Sequence, residues 1–296
     1  MRPRGRGWLK FAHPVIATLP MSAVGLGVFL IGTACIIYWS FTQSAALPNW
    51  SWSGPTQYFI LWNNPNWRAA ITNMAIFLPV VVAANLIVGG LLAICLDRGV
   101  KFLGLFHSLF LYPYAMSLYV SGLVWQWIFD PHLGLEPLVR SWGLTWFHFA
   151  PTADPSQALA GLLVAGCWQS IGLTMAILLA GLRTIDPEIW HAARVEGIST
   201  ARTYVSIILP MIRGPIGTAV FLQVVSALRT YDLSVAMADD PYRPTWMPAV
   251  YVIKSVWYEM TLRQGAAAST MLLLPIALLV ALRVVGGRLR ARATLD

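Results

Sequence analysis

Leu182–Pro210 reads LRTIDPEIWHAARVEGISTARTYVSIILP. The stretch is polar enough to leave a membrane, yet strongly patterned. Asp186 is placed to cap a helix whose first position is Pro187, with Glu188 near the positive end of the helix dipole. Ile189, Ala192, Ala193 and Glu196 follow at helical spacing. Gly197 permits a positive φ and hence a turn. Ser199 is placed to cap a second helix that runs through Thr203 and Ile207 and is ended by Pro210. Two short amphipathic helices joined at a glycine make a rigid knob. The same residues also fit a loop lying among lipid headgroups, with Arg194 and Arg202 on phosphates. The pattern by itself leaves both readings open.

On either side of this stretch the chain is strongly apolar. Of its 296 residues 57% are apolar and only 11% charged, where soluble proteins carry about 25% charged residues. Six spans are predicted: about Val15–Ser40, Ile71–Leu96, Leu105–Phe129, Ala158–Leu182, Gly214–Leu228 with some extension, and Gly265–Leu282. Each is long enough to cross a hydrocarbon core of about 30 Å. The spans leave room for loops and for no separate globular domain. The first is a retained helix and not a signal peptide, because its apolar run exceeds a signal's and ends in aromatics. Pro20 and Pro79 fall inside spans, where neighbouring helices can satisfy the freed carbonyls. Pro215, Gln223 and Ser226 make the fifth span the weakest.

The 20 basic residues set the orientation. The N-terminal Arg2, Arg4, Arg6 and Lys10 share one side with Arg98, Lys101, Arg183, Arg194, Arg202, Arg213 and the tail arginines 283, 288, 290 and 292. That side holds 14 of them. Arg68, Arg140, Arg229, Arg243, Lys254 and Arg263 fall on the other. The basic side is cytoplasmic, so both termini and the knob are expected inside. Trp50, Trp52, Trp62, Trp67, Trp142 and Trp146, in the outer loops Thr42–Ala70 and Asp130–Gln157, fit an interfacial aromatic belt. Cys35, Cys95 and Cys167 lie in apolar runs and are expected to be small buried hydrophobes, not disulfide partners. The net charge of +8 gathers at span ends and not on a nucleic-acid motif, so no nucleic-acid partner is expected.

The Leu182–Pro210 stretch resembles the "EAA loop" of bacterial ABC importer permeases. That loop has an acidic-Ala-Ala triplet, an acidic-Gly pair, and Ile-x-Leu-Pro about a dozen residues on. Here they stand as His191-Ala192-Ala193, Glu196-Gly197 and Ile207-Ile208-Leu209-Pro210, with His191 and Glu196 in place of the usual Glu and Asp. The resemblance runs along nearly the whole chain. Ser40-Phe41-Thr42 is similar to the close of the first span in carbohydrate-type permeases. Trp67-Arg68-x-Ala70-x-x-x-Asn73, Leu111-Tyr112-Pro113-Tyr114-Ala115 and Trp125-Gln126-Trp127-Ile128-Phe129-Asp130-Pro131 follow in order. Then come Leu179-Ala180-Gly181-Leu182, Tyr231-Asp232-Leu233, Asp240-Pro241 and Gln264-Gly265-x-Ala267-Ala268. The chain looks most like glucose/mannose-type members of that maltose-type group.

The resemblance implies an all-α, type I ABC importer permease fold. Residues 1–296 would form one permease domain in a bacterial inner membrane, with the coupling loop at 183–210. It implies a second permease subunit, an ATPase dimer that holds ATP and magnesium, and an extracytoplasmic sugar-binding protein. It assigns ATPase coupling to Asp186, Glu188, His191, Ala192, Ala193, Glu196 and Gly197. It assigns substrate contact to the matching positions Gln169, Ser170, Leu173, Gln223, Ser226 and Thr230. Read as residues alone, the same Gln and Ser side chains fit interhelical hydrogen bonds equally. Asn85 and Gln126 read as packing or interfacial polar groups, and Arg229 with Asp232 as a structural ion pair.

The absences narrow the function further. No GxxxxGK[ST] occurs, so the chain has no phosphate-binding loop of its own. Its five histidines show no metal spacing, and no cofactor is expected on this chain. A self-contained carrier or channel for a small polar solute would need coupling carboxylates inside the membrane. Spans one to four and six have no internal Asp or Glu. An enzyme would need a clustered acid, base or metal site, which the sequence lacks.

Overall fold

The computed structural model describes residues 18–238 and 245–293, without the side chains of residues 279 and 282–293. The N-terminal basic cluster Arg2–Lys10, the Asp240-Pro241 pair, Arg243 and the side chains of the tail arginines lie outside the described residues. Among those described, the chain is helical apart from loops and one isolated bridge between Thr42 and Trp52. It divides into two compact units: residues up to Asn64 with Val252–Ala277, and Pro65–Tyr251 with the segment from Leu278.

The first unit holds α1 (Thr18–Trp39) and α2 (Thr56–Asn63). The Ser40-Phe41-Thr42 turn closes α1 by its hydroxyls. Ser40 Oγ donates to the Ile37 carbonyl at 2.6 Å and lies 2.7 Å from the Tyr58 hydroxyl. Thr42 Oγ1 donates to the Trp39 carbonyl at 2.9 Å. The loop carbonyls of Ala45 and Ser44 accept from Leu262 and Arg263 N–H at 2.9 and 3.1 Å, which satisfies donors that the start of a helix leaves free.

The second unit carries the rest. Its helices are α3 (Pro65–Asp97), α4 (Leu103–Ala115), α5 (Leu118–Ile128), α6 (Leu135–Ser141), α7 (Ala158–Leu182), α8 (Pro187–Val195), α9 (Thr200–Met211), α10 (Arg213–Leu228) and α11 (Asp232–Met237). Then α12 (Pro248–Trp257) and α13 (Leu262–Ala293) run across the boundary of the units. The most buried helix is α7, and small residues let its neighbours approach. A Cβ on Gly166 would lie 2.8 Å from the Phe77 ring, and one on Gly181 2.7 Å from Pro215. Helix α3 buries one stripe against it: Trp67, Ala70, Met74, Phe77, Val81, Asn85, Gly89, Ala93 and Leu96. These steps of three and four residues keep to one face.

Among the described residues, three helices are long and apolar enough to span a membrane: α1, α3 and α7. Two bent helix pairs pass the same test only when each pair is taken together, and 262–278 is a shorter apolar helix. The third expected span, Leu105–Phe129, is not continuous: α4 and α5 meet at 98°. Met116 and Ser117 are both extended there, and Ser117 Oγ accepts from Val120 N–H to start α5 afresh. The fifth span is better formed than its sequence suggests. Pro215 sits in the first turn of α10, where its missing N–H has no intrahelical role. Two further expectations are corrected. Trp67 is fully buried, edge-on to Tyr251 at 5.2 Å, and is no belt residue; the other five belt tryptophans are exposed. Cys95 is exposed and Cys35 and Cys167 are half-buried; α1 has no buried stripe for Cys35 to join, and Cys95 falls between the buried Ala93 and Leu96 of α3.

Candidate functional site

The knob forms by the capping logic of its sequence. Asp186 accepts from the Glu188 N–H at 2.9 Å, with Pro187 opening α8. At the other end Gly197 has φ +68°. Ile198 N–H donates to the Ala193 carbonyl and Gly197 N–H to the Arg194 carbonyl, at 3.0 and 3.1 Å. This paired closure ends a helix and requires a left-handed residue at the glycine. Two details differ from the sequence reading. The Ser199 hydroxyl makes no cap bond; its carbonyl instead accepts from Thr203 N–H and Oγ1, at 2.9 and 3.1 Å. Pro210 does not end the helix. Tyr204–Ile208 widens into a π-turn, which makes room for a ring that would clash in a regular helix. The chain breaks at Ile212 and bends by 72° into α10.

One face of α8 is anchored. Ala193 is buried, and Ile189 and Trp190 pack on a buried cluster that joins Ile185 and the α9 residues Tyr204 and Ile208 to the ends of α3 and α7. Trp190 meets Tyr204 edge-on at 5.1 Å, and the Arg98 guanidinium lies 5.7 Å over the same ring. The other face is free: Glu188, His191, Ala192, Val195 and Glu196 are exposed, Val195 by 87%. Of the residues expected to couple, Ala193 alone faces inward.

The intramembrane residues gather around a small chamber among α3, α7 and α10. Gln169, Ser170, Gln223, Ser226 and Thr230 all line it, with Phe77, Val81, Gly166 and Leu118. Leu173 does not; it is half-buried one turn further along α7. The chamber measures about 20 Å³, room for roughly one water. Three of its polar groups are already engaged. Ser170 Oγ donates to the Gly166 carbonyl at 2.6 Å, Thr230 Oγ1 to the Ala227 carbonyl at 2.7 Å, and Gln223 Nε2 to Thr174 Oγ1 at 2.8 Å. Asn85 donates to both Ser170 Oγ and Gln223 Oε1, at 2.6 and 2.7 Å. Five of the six residues thus line one chamber, and two of them, Ser170 and Gln223, also tie helices together. Phe77 and Val81 were not singled out in the sequence, although with Asn85 they recur every four residues on one face of α3. No ion pair joins Arg229 and Asp232; the backbone turns at Tyr231, and Arg229 is exposed. Gln126 donates to the Ala238 carbonyl at 3.3 Å, a packing role.

Between α5 and α7, Glu136 is buried and accepts from three groups. These are His148 Nδ1 at 2.9 Å, Arg140 Nη1 at 3.2 Å and Phe149 N–H at 3.2 Å. The hydrogen bond from His148 leads in holding this carboxyl below its usual range. A lowered carboxylate stabilises the loop at neutral pH, and this is lost only as pH falls below the ordinary value of about 4.3. The loop at Phe149 is thus held in place throughout the neutral range.

These features define a polytopic α-helical membrane protein with a polar chamber between its spans and a capped knob at their cationic ends. The chain belongs to the family described as the binding-protein-dependent transport system inner membrane component, whose profile matches residues 66–292. Members of that family are non-catalytic membrane subunits of ABC transporters. The chain is 31% identical over 272 residues to a probable ABC transporter permease protein of Pyrococcus horikoshii, covering 90% of this chain and 93% of the relative. It is 32% identical over 255 residues to a xylose/arabinose import permease protein of Haloferax volcanii, covering 83% and 77%. The fold matches a chain of a bacterial ABC transporter involved in alginate import, with a TM-score of 0.76, 16% identity, and coverage of 97% and 96%.

Proposed function

We propose that this chain is the permease subunit of an ATP-driven importer for a neutral monosaccharide or small glycoside. The observation that carries the reading is the chamber: the amides of Gln169 and Gln223 and the hydroxyls of Ser170, Ser226 and Thr230, set among apolar side chains from α3, α5, α10 and α11, with no charged side chain among the described lining residues. Uncharged hydrogen-bonding groups in a span suit a hydroxylated, uncharged solute and would not hold a sugar phosphate. The xylose/arabinose relative supports a sugar as the class. The partners are a second permease subunit, two ATPase subunits that hold ATP and magnesium, and an extracytoplasmic binding protein. The knob carries ATPase motion into the spans, which fits its rigid caps, its anchored inner face and its free outer face. The helices then alternate between outward and inward access, driven by ATPases that bind the two states with different affinity.

The same reading gives six crossings in one permease domain, with the bent α4–α5 pair counted as one, α10 as the core of the fifth, and both termini in the cytoplasm. Reporter fusions at Asp296 and within residues 151–155 are expected to report opposite sides. Fusions that report the same side contradict the arrangement.

Ser226 tests the chamber. In reconstituted importer, Ser226→Trp is expected to cut uptake of labelled xylose, arabinose or glucose, whichever the wild type accumulates, by more than tenfold. Binding-protein-stimulated ATP hydrolysis should remain. Ser226→Cys gives a gentler form, with normal uptake until a small thiol reagent modifies it. Wild-type uptake in both the Trp variant and the modified Cys variant would move the path away from this chamber.

A further inference from the structure

Asn85 is fully buried in α3, at a depth where an unsatisfied amide is costly. Its nitrogen ties Ser170 of α7 and Gln223 of α10 at 2.6 and 2.7 Å, and Gln223 passes the connection on to Thr174 at 2.8 Å. A single side chain thus joins three helices, and both groups it joins are chamber lining. Helices α3 and α7 meet closely one turn away, where a Cβ on Gly89 would lie 3.1 Å from Thr174 Cβ. The Asn85 Oδ1 is buried with no hydrogen-bond partner. It is a spare acceptor beside two chamber-lining residues, where buried acceptors are ordinarily satisfied.

We infer that Asn85 is a clasp that holds the chamber shut, and that the hydroxyls of the entering solute release it by taking over its bonds to Ser170 and Gln223. The inference rests on the chamber being the solute path. A hydroxyl both donates and accepts, so a polyol can donate to Gln223 Oε1 and Ser170 Oγ in place of the amide, accept from the released Asn85 Nδ2, and donate to the spare Asn85 Oδ1. The carbonyl-directed hydrogen bonds of Ser170 and Thr230 can stay in place meanwhile. Opening then exchanges hydrogen bonds without leaving any group bare. With no solute present, the two Asn85 bonds oppose opening. Interhelical hydrogen bonds in membranes are individually modest, so the pair together biases the closed state about tenfold.

The test uses the complete importer in vesicles, read by ATP hydrolysis without the binding protein. A cycle that must open the chamber turns over faster once the clasp is gone. Asn85→Leu is expected to raise this idle hydrolysis about tenfold, while Cys95→Ala, at an exposed position of the same helix, leaves it at the wild-type level. Unchanged idle hydrolysis in an assembled Asn85→Leu importer overturns the clasp. Raised idle hydrolysis in Asn85→Leu beside normal uptake in Ser226→Trp keeps the clasp and overturns the chamber as the path. Should Asn85→Leu not assemble, the pair Asn85→Cys/Gln223→Cys decides in a background free of the three native cysteines. Uptake that stops on oxidation and returns on reduction supports the clasp. Uptake that survives a complete cross-link, or a pair that never cross-links, overturns it.

Discussion

Gly197→Val is expected to reduce coupled uptake by more than tenfold while leaving the permease inserted in the membrane. The reason is backbone conformation and not lack of room. Gly197 has φ +68°, and a Cβ there would meet no atom within 4 Å. A left-handed conformation costs an L-residue about 1–2 kcal/mol, and more when the side chain is β-branched. Valine would therefore pull the turn out of its paired closure on Ala193 and Arg194. That closure sets the direction in which α8 leaves the knob, so the outer face would be re-aimed. No membrane-spanning helix is touched, so insertion should be normal. Two variants sharpen the result. Gly197→Asn should retain most uptake, because asparagine enters the left-handed region at low cost. His191→Ala should do far less harm than valine at 197, since His191 is exposed on a helix whose caps it does not share. Retention of the ATPase by pull-down, with uptake in vesicles, measures all three. Normal uptake by Gly197→Val with the ATPase bound would make the segment a headgroup-lying loop.

The second large effect concerns Gly172. A Cβ on this residue would overlap the carbonyl oxygen of Phe110 and lie 3.1 Å from Leu111 Cα. Both are backbone atoms within α4, so no rotamer change can make space. The helices would have to separate along their contact. Overpacking of a tight core costs about 1–3 kcal/mol when side chains can yield, and here none can. Against a total stability of roughly 5–15 kcal/mol, Gly172→Val is expected to leave little folded permease. Gly172→Ala should lower the melting temperature clearly. Gly90→Ala is the contrast: its Cβ would lie 3.6 Å from Leu178 Cδ1, an ordinary contact, and it should be nearly neutral. Thermal stability of detergent-purified protein, followed by size-exclusion chromatography, separates the three.

The caps of the knob were legible in the sequence because they are local. Asp186, Pro187 and Gly197 act within a few residues of themselves, and their spacing states the geometry. Five of the six expected chamber residues came together for a different reason: polar side chains in apolar spans have few places to go. What stayed hidden depends on partners distant in sequence. Nothing near Asn85 says that its amide reaches Ser170 and Gln223, 85 and 138 residues away. The burial of Trp67 likewise depends on Tyr251. The right-angle break at Met116–Ser117 was masked by apolarity, since hydropathy averages over a turn that only Pro113 and the Ser117 cap mark. Pro210 misled for a related reason: a proline ends an ordinary helix but not one that has widened into a π-turn.

The central claim is that the exposed face of α8 passes ATPase motion to the spans. Val195 is the place to test it, being 87% exposed on that face while the opposite face is packed. A photo-crosslinking amino acid replaces Val195 in the membrane-bound importer, and the captured partner is identified by mass spectrometry. The account predicts capture of an ATPase subunit carrying a phosphate-binding loop, with a yield that changes when ATP is added. Capture of lipid alone, in an importer that still transports, would contradict it.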